Sequence, residues 1–214
     1  MPRSGERGHV MLAPIAHSRS ATMPIDALPI QDWPLPYEAR LAARPLSAID
    51  LVVIHCTELP DMALAREFGE RIRHERSQTG NSGHYYVDTD GKVYRFVSDT
   101  RVAHHTWGYN PRSIGIELSN PGRYPHWGDS RHQEFTTPYT SAQIDALRAL
   151  LAQLRRDLPN LQWIAGHEDL DRRLEPAQDD PSILLRRRQD PGPLFPWPQV
   201  LDGSGLQRLA PPTQ

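Results

Sequence analysis

Leu51-Val52-Val53-Ile54 is the segment that most narrows what this chain can become. A short, fully apolar run ending at His55 describes a strand buried on both faces, at the centre of a sheet that other elements must cover. The residues that follow supply them. Asp61 to Ser77 places Met62, Leu64, Ala65, Phe68 and Ile72 at near-helical spacing with charges between, which predicts an amphipathic helix. In His84 to Val97, two β-prone runs flank Asp90-Gly91, the signature of a hairpin. Ser113 to Ser119 alternates, with Ile114, Ile116 and Leu118 on one face and Gly115, Glu117 and Ser119 on the other. Thr140 opens the strongest helix: Thr140 and Gln143 fit a capping box, Ile144, Leu147, Leu151, Leu154 and Leu158 form the stripe, and Pro159-Asn160 stops it. Gln162 to Gly166 is a further short strand, ending at His167. Strands alternate with helices, so the middle is predicted to be an α/β domain with one main sheet.

The 21 prolines among 214 residues gather towards the two ends. That distribution predicts an irregular N-terminal arm over residues 1–47, a domain over 48–202 with its ordered core beginning at Ala48, and a tail over 203–214. Asn120 to Tyr139 is predicted to be a long loop, and Leu170 to Gln189 to be polar and irregular. The 24 Lys and Arg residues stand against 26 Asp and Glu, a net charge of -2, which leaves no basic excess to neutralise phosphates and argues against nucleic acid as a partner. No apolar run approaches the roughly 18 residues that span a bilayer, so no integral membrane segment is expected. Arg3 and Arg7 ahead of Val10 to Ala16 resemble a minimal signal peptide, but Pro14 interrupts a stretch already at the short limit. A cytoplasmic location is therefore expected, with export as the alternative. The single cysteine, Cys56, excludes an internal disulfide framework and is read as a core residue.

Histidine is the unusual component, at 10 residues. His55 and His167 both end buried strands, and the carboxyl ends of strands in an α/β sheet line the ligand crevice. Either alone reads as a structural histidine. Together with a carboxylate they become a candidate metal site, because catalytic zinc takes three protein ligands and keeps one position open. Zincin patterns fail: His167-Glu168-Asp169-Leu170-Asp171 ends in Asp, and His74-Glu75-Arg76-Ser77-Gln78 ends in Gln, so neither sets two imidazoles on one helical face. Glu117 lies mid-strand between small neighbours on its face. A carboxylate there needs a cation partner or a metal, and beside a metal it is a candidate general base.

Five pieces then occur in order: Val53-Ile54-His55-Cys56-Thr57, Ser82-Gly83-His84-Tyr85-Tyr86, Ser113-Ile114-Gly115-Ile116-Glu117-Leu118, Gly166-His167-Glu168-Asp169 and Asp190-Pro191-Gly192-Pro193. Together they resemble the zinc-dependent N-acetylmuramoyl-L-alanine amidases of the type-2 group, related to peptidoglycan recognition proteins. The resemblance implies a single mixed central β-sheet flanked by helices, a Zn2+ cofactor, and peptidoglycan or its fragments as the partner. It implies His55, His167 and Asp190 as zinc ligands, Glu117 as the catalytic glutamate, and Arg188 where many members carry a lysine that steadies the tetrahedral intermediate. His84 and His105 match histidines expected to line or support the cleft, and Asp169 a carboxylate behind the ligands. The 170–189 stretch looks longer than in compact members, and Arg188 keeps its charge where a lysine can lose it. Two other readings stay open at this point: a peptidoglycan-binding module without catalysis, and a zinc peptidase acting on another amide.

Overall fold

The computed structural model describes residues 28–211. The signal-like stretch from Arg3 to Ala16 lies outside the described residues. In chain order the elements are β1 (Ile30–Asp32), β2 (Leu51–Cys56), α1 (Met62–Glu70), β3 (Tyr85–Val87), β4 (Val93–Arg95), β5 (Ser113–Leu118), α2 (Ser141–Asp157), β6 (Trp163–Gly166), α3 (His167–Leu170), β7 (Leu174–Pro176), β8 (Leu184–Arg186), α4 (Trp197–Leu201) and β9 (Gln207–Arg208). Seven strands form one sheet in the order β1-β4-β3-β5-β2-β6-β9. Only β3 and β4 pair antiparallel, as the hairpin expected around Asp90-Gly91, and the remaining neighbours are parallel. The architecture is therefore a mixed central sheet flanked by helices, with β2 near its middle as the apolar run requires.

The two faces of β2 have different fates. Val52 and Ile54 join Ile114, Ile116 and Leu118 of β5 in the main core, closed by Ile144, Leu147, Leu150, Leu151 and Leu154 of α2. The stripe expected on α2 is buried along its whole length, Leu158 included. Its start is the predicted capping box: Gln143 N–H donates to Thr140 Oγ1, and Thr140 N–H donates to Gln143 Oε1, each at 3.1 Å. Thr140→Ala should cost about 1 kcal/mol of stability, the usual value of such a cap, measurable as a lower denaturation midpoint. The odd-numbered residues of β2 face the other way, where Leu51 and Val53 pack with Ala165 and Leu170, and where His55 emerges.

Four segments differ from the sequence reading. First, packing begins earlier than Ala48: β1 pairs with β4, and Leu35, Tyr37 and Leu41 pack under α1 with Phe96. The prolines that made this stretch look like an arm set an extended path, and isolated apolar residues along it bury without any period. Second, α1 stops at Glu70 rather than Ser77, and Ile72 is exposed. The chain doubles back there. Arg73 and His74 N–H groups both donate to Thr79 O, and Gly80 sits so close to Arg71 O that a Cβ would lie 2.2 Å from it. Third, 170–189 holds a two-stranded hairpin, β7 with β8. Its Leu174 and Leu184 are exposed, so it has no buried face to create an alternating pattern. Fourth, residues of the expected tail form the edge strand β9 against β6. Among the described residues, no helix is long and apolar enough to cross a membrane.

Candidate active site

Parallel pairing assembles the site. β2 and β6 are neighbours in register, Ile54 beside Gly166, so the next residues, His55 and His167, leave the sheet side by side. Asp190 arrives from the chain after β8, where its carbonyl accepts from Glu168 N–H at 2.9 Å. His55 Nδ1 and His167 Nδ1 lie 2.9 and 3.1 Å from the same oxygen, Asp190 Oδ2, and the two rings are 4.5 Å apart. All three side chains are buried, and one donor atom of each lies within 4.8 Å of the others. Zinc with four ligands at about 2.0–2.1 Å keeps them about 3.3 Å apart, so the spacing suits such an ion. Protonation suits it too. Burial first, then the adjacent His167, brings His55 down to about 4, leaving a neutral imidazole at neutral pH. Burial opposes the Asp190 carboxylate, but His167 and His55 beside it hold it well below the usual range. Two imidazoles and a carboxylate are a fitting donor set for a divalent cation.

One side of this triad opens into a cavity of about 540 Å³. Glu117, Arg188, His105, Thr106, Glu58 and Arg187 are among the residues that line it. Glu117 is level with His55 on the adjacent strand β5, so the two side chains project from the same face. Burial, and then the Asp190 carboxylate, push Glu117 well above the usual range, while the Arg188 guanidinium works in the opposite sense. Small residues make this possible: a Cβ on Gly83 would lie 2.9 Å from Glu117 Cγ, and one on Gly115 would lie 2.6 Å from the His105 ring. Arg188 Nε is buried without a hydrogen-bond partner among the described residues.

The two other histidines divide the roles expected of them. His105 Nδ1 sits 3.0 Å from His55 Nε2, with Thr106 Oγ1 and Ser113 Oγ around its ring, so it lines the cavity and steadies the far edge of His55. His84 does not reach the cavity. Gly115 N–H donates to its Nδ1 at 3.0 Å, which puts the proton on Nε2 facing Arg101 O at 3.1 Å; Arg44 packs alongside. It braces β5 from beneath. Asp169 likewise stands behind the triad: its Oδ2 accepts from Gly166 N–H, just before His167, and from Arg208. Arg112 and Arg123 are engaged by Asp50 and Glu58. Trp107 is exposed at the cavity mouth, whereas Trp127 donates its Nε1–H to Glu58 O. Glu58 and Thr106 had no signal in the sequence; both owe their place to loops that only the fold brings together.

The profile of the N-acetylmuramoyl-L-alanine amidase family (Amidase_2) matches residues 45–193. This chain belongs to that family. The matched span contains the whole triad together with Glu117 and Arg188. In sequence the chain is 31% identical over 135 residues to the N-acetylmuramoyl-L-alanine amidase AmiD of Escherichia coli, a match covering 56% of this chain and 43% of AmiD. The match thus spans under half the length of that relative. Among solved structures, the complex of E. coli AmiD with the substrate anhydro-N-acetylmuramic acid-L-Ala-D-gamma-Glu-L-Lys aligns with a TM-score of 0.56 at 26% identity, covering 77% of this chain and 60% of that one. The N-acetylmuramoyl-L-alanine amidase LysC of Clostridium intestinale URNW aligns with a TM-score of 0.58 at 20% identity, covering 84% of this chain and 99% of that one, and shows the shared amidase fold.

Proposed function

We propose that this chain is a zinc-dependent amidase that hydrolyses the bond between N-acetylmuramic acid and L-alanine in peptidoglycan or its fragments. The observation that carries this reading is the convergence of His55, His167 and Asp190 at the wall of a cavity that also presents Glu117 and Arg188, in a member of the amidase family. The triad would hold Zn2+, which would supply Lewis-acid polarisation of a carbonyl and acidify water, lowering its pKa from ~15.7 towards about 7. The remaining work falls to the chain. Glu117 accepts the proton of the attacking water and delivers it to the alanine nitrogen as the amide C–N bond breaks, the two-way transfer expected of a single positioned carboxyl. Its raised affinity for protons suits the second half of that exchange. Arg188, which lines the same cavity, offers its guanidinium to the oxyanion that develops on the carbonyl. Arg188→Ala is expected to lower kcat by about 10²–10³, with little change in bound metal. Arg188→Lys should restore most of the loss, if charge rather than fork geometry matters there.

Incubation with a defined muropeptide, with and without a chelator, tests the whole reading by mass spectrometry of the products. An intact stem peptide with a free N-terminal alanine, formed only without chelator, is the expected result. Cuts inside the stem would make the chain a peptidase, and binding with no products would make it a recognition module.

A further inference from the structure

The loop at 120–139 takes no part in the proposed chemistry, yet it carries the second group of metal-type donors among the described residues: His126, Asp129 and His132. Their spacing is a backbone effect. Asp129 N–H donates to His126 O at 3.0 Å and His132 N–H donates to Asp129 O at 3.1 Å, two turns in succession with a period of three residues. That period stacks positions i, i+3 and i+6 on one side. The two imidazoles accordingly face each other with centroids 4.6 Å apart, and His132 Nδ1 lies 3.1 Å from Asp129 Oδ2. One donor atom from each residue lies within 4.8 Å of the others.

We propose that His126, Asp129 and His132 form a surface site for a divalent cation of the zinc type, separate from the buried triad and independent of the amidase reading. Two imidazoles and one carboxylate select borderline metals such as zinc or nickel over magnesium or calcium, which take oxygen ligands. Both histidines are exposed, so small ring rotations bring the donors to bonding distance and water completes the shell. The backbone beneath them is already held. Ser130 donates to Asp179 from both N and Oγ, Gln178 N–H donates to Gly128 O, and Gln133 Nε2 donates to Asp129 O. Arg131 is the competing charge, with Nε 3.1 Å from Asp129 Oδ1 and Nη2 3.0 Å from Oδ2. It has a second acceptor in reach, Asp179 Oδ2 at 3.6 Å; because the Arg131 backbone N–H also donates to Asp129 Oδ1 at 2.9 Å, the position left for a metal is the one on Oδ2 that His132 Nδ1 now faces. The cation would clamp a loop whose Arg123 and Trp127 both hold Glu58, on the cavity wall.

Equilibrium dialysis against micromolar Zn2+, followed by elemental analysis, tests this. The double variant His126→Gln/His132→Gln should bind one equivalent fewer than the parent and keep its turnover, which shows that it is folded. His55→Ala should retain the equivalent that the double variant loses. Equal zinc in the parent and the double variant would overturn the surface site, whereas loss of metal only in His55→Ala would leave the buried site standing alone. In the unsubstituted protein, the Hε1 ring resonances of His126 and His132 should shift saturably as zinc is added. Unmoved resonances would overturn the proposal without recourse to any variant.

Discussion

His55→Ala is expected to release the buried metal and, with it, all measurable turnover. The substitution removes a donor that no neighbour can replace: the nearest imidazole outside the triad, His105, is drawn towards Ser113 and Thr106 on the far side of His55. It also leaves Asp190 with one of its two imidazole partners, in a place where a carboxylate is costly to bury unpaired. Elemental analysis of the purified variant alongside a muropeptide assay checks both halves. A variant that retained a full equivalent at the buried site and near-normal turnover would show that the triad is not the metal centre.

Glu117→Ala separates chemistry from metal binding. Turnover should fall by about 10²–10⁴, the usual share of a positioned acid–base group, while zinc at the buried site stays at one equivalent. The distinction rests on geometry: Asp190 Oδ2 is the oxygen on which both histidines converge, whereas Glu117 stands on the adjacent strand and is not among the converging donors. Loss of the metal from Glu117→Ala would recast this residue as a ligand. An unchanged rate would remove it from the reaction altogether.

How much of this was legible in the sequence depended on periodicity. The α2 stripe and its Thr140–Gln143 cap, the β3–β4 hairpin and the alternation of β5 each follow from local patterns, and the structure contains them where those patterns lie. His55 and His167 were readable because each directly follows a run that had to be a buried strand. Asp190 and Arg188 were not readable that way: they sit in a loop, and only the resemblance to a family singled them out. The burial of Leu35 and Tyr37 was invisible because single apolar residues between prolines carry no period. The hairpin at β7 and β8 escaped for the opposite reason, since its apolar residues face outward. Glu58 shows a third limit: its partner Arg123 lies on a distant loop, and a pair bond of that kind leaves no trace along the chain.

The side-by-side placement of β2 and β6 also has a temporal consequence. The residue from β2 precedes its two companion ligands by more than half the length of the described chain, and nothing holds it near them until the central strands have zipped together. A nascent or half-folded polypeptide would therefore lack the buried three-donor site. Under the proposed function, occupancy of that buried site would come only after the central strands have paired, and would report finished folding.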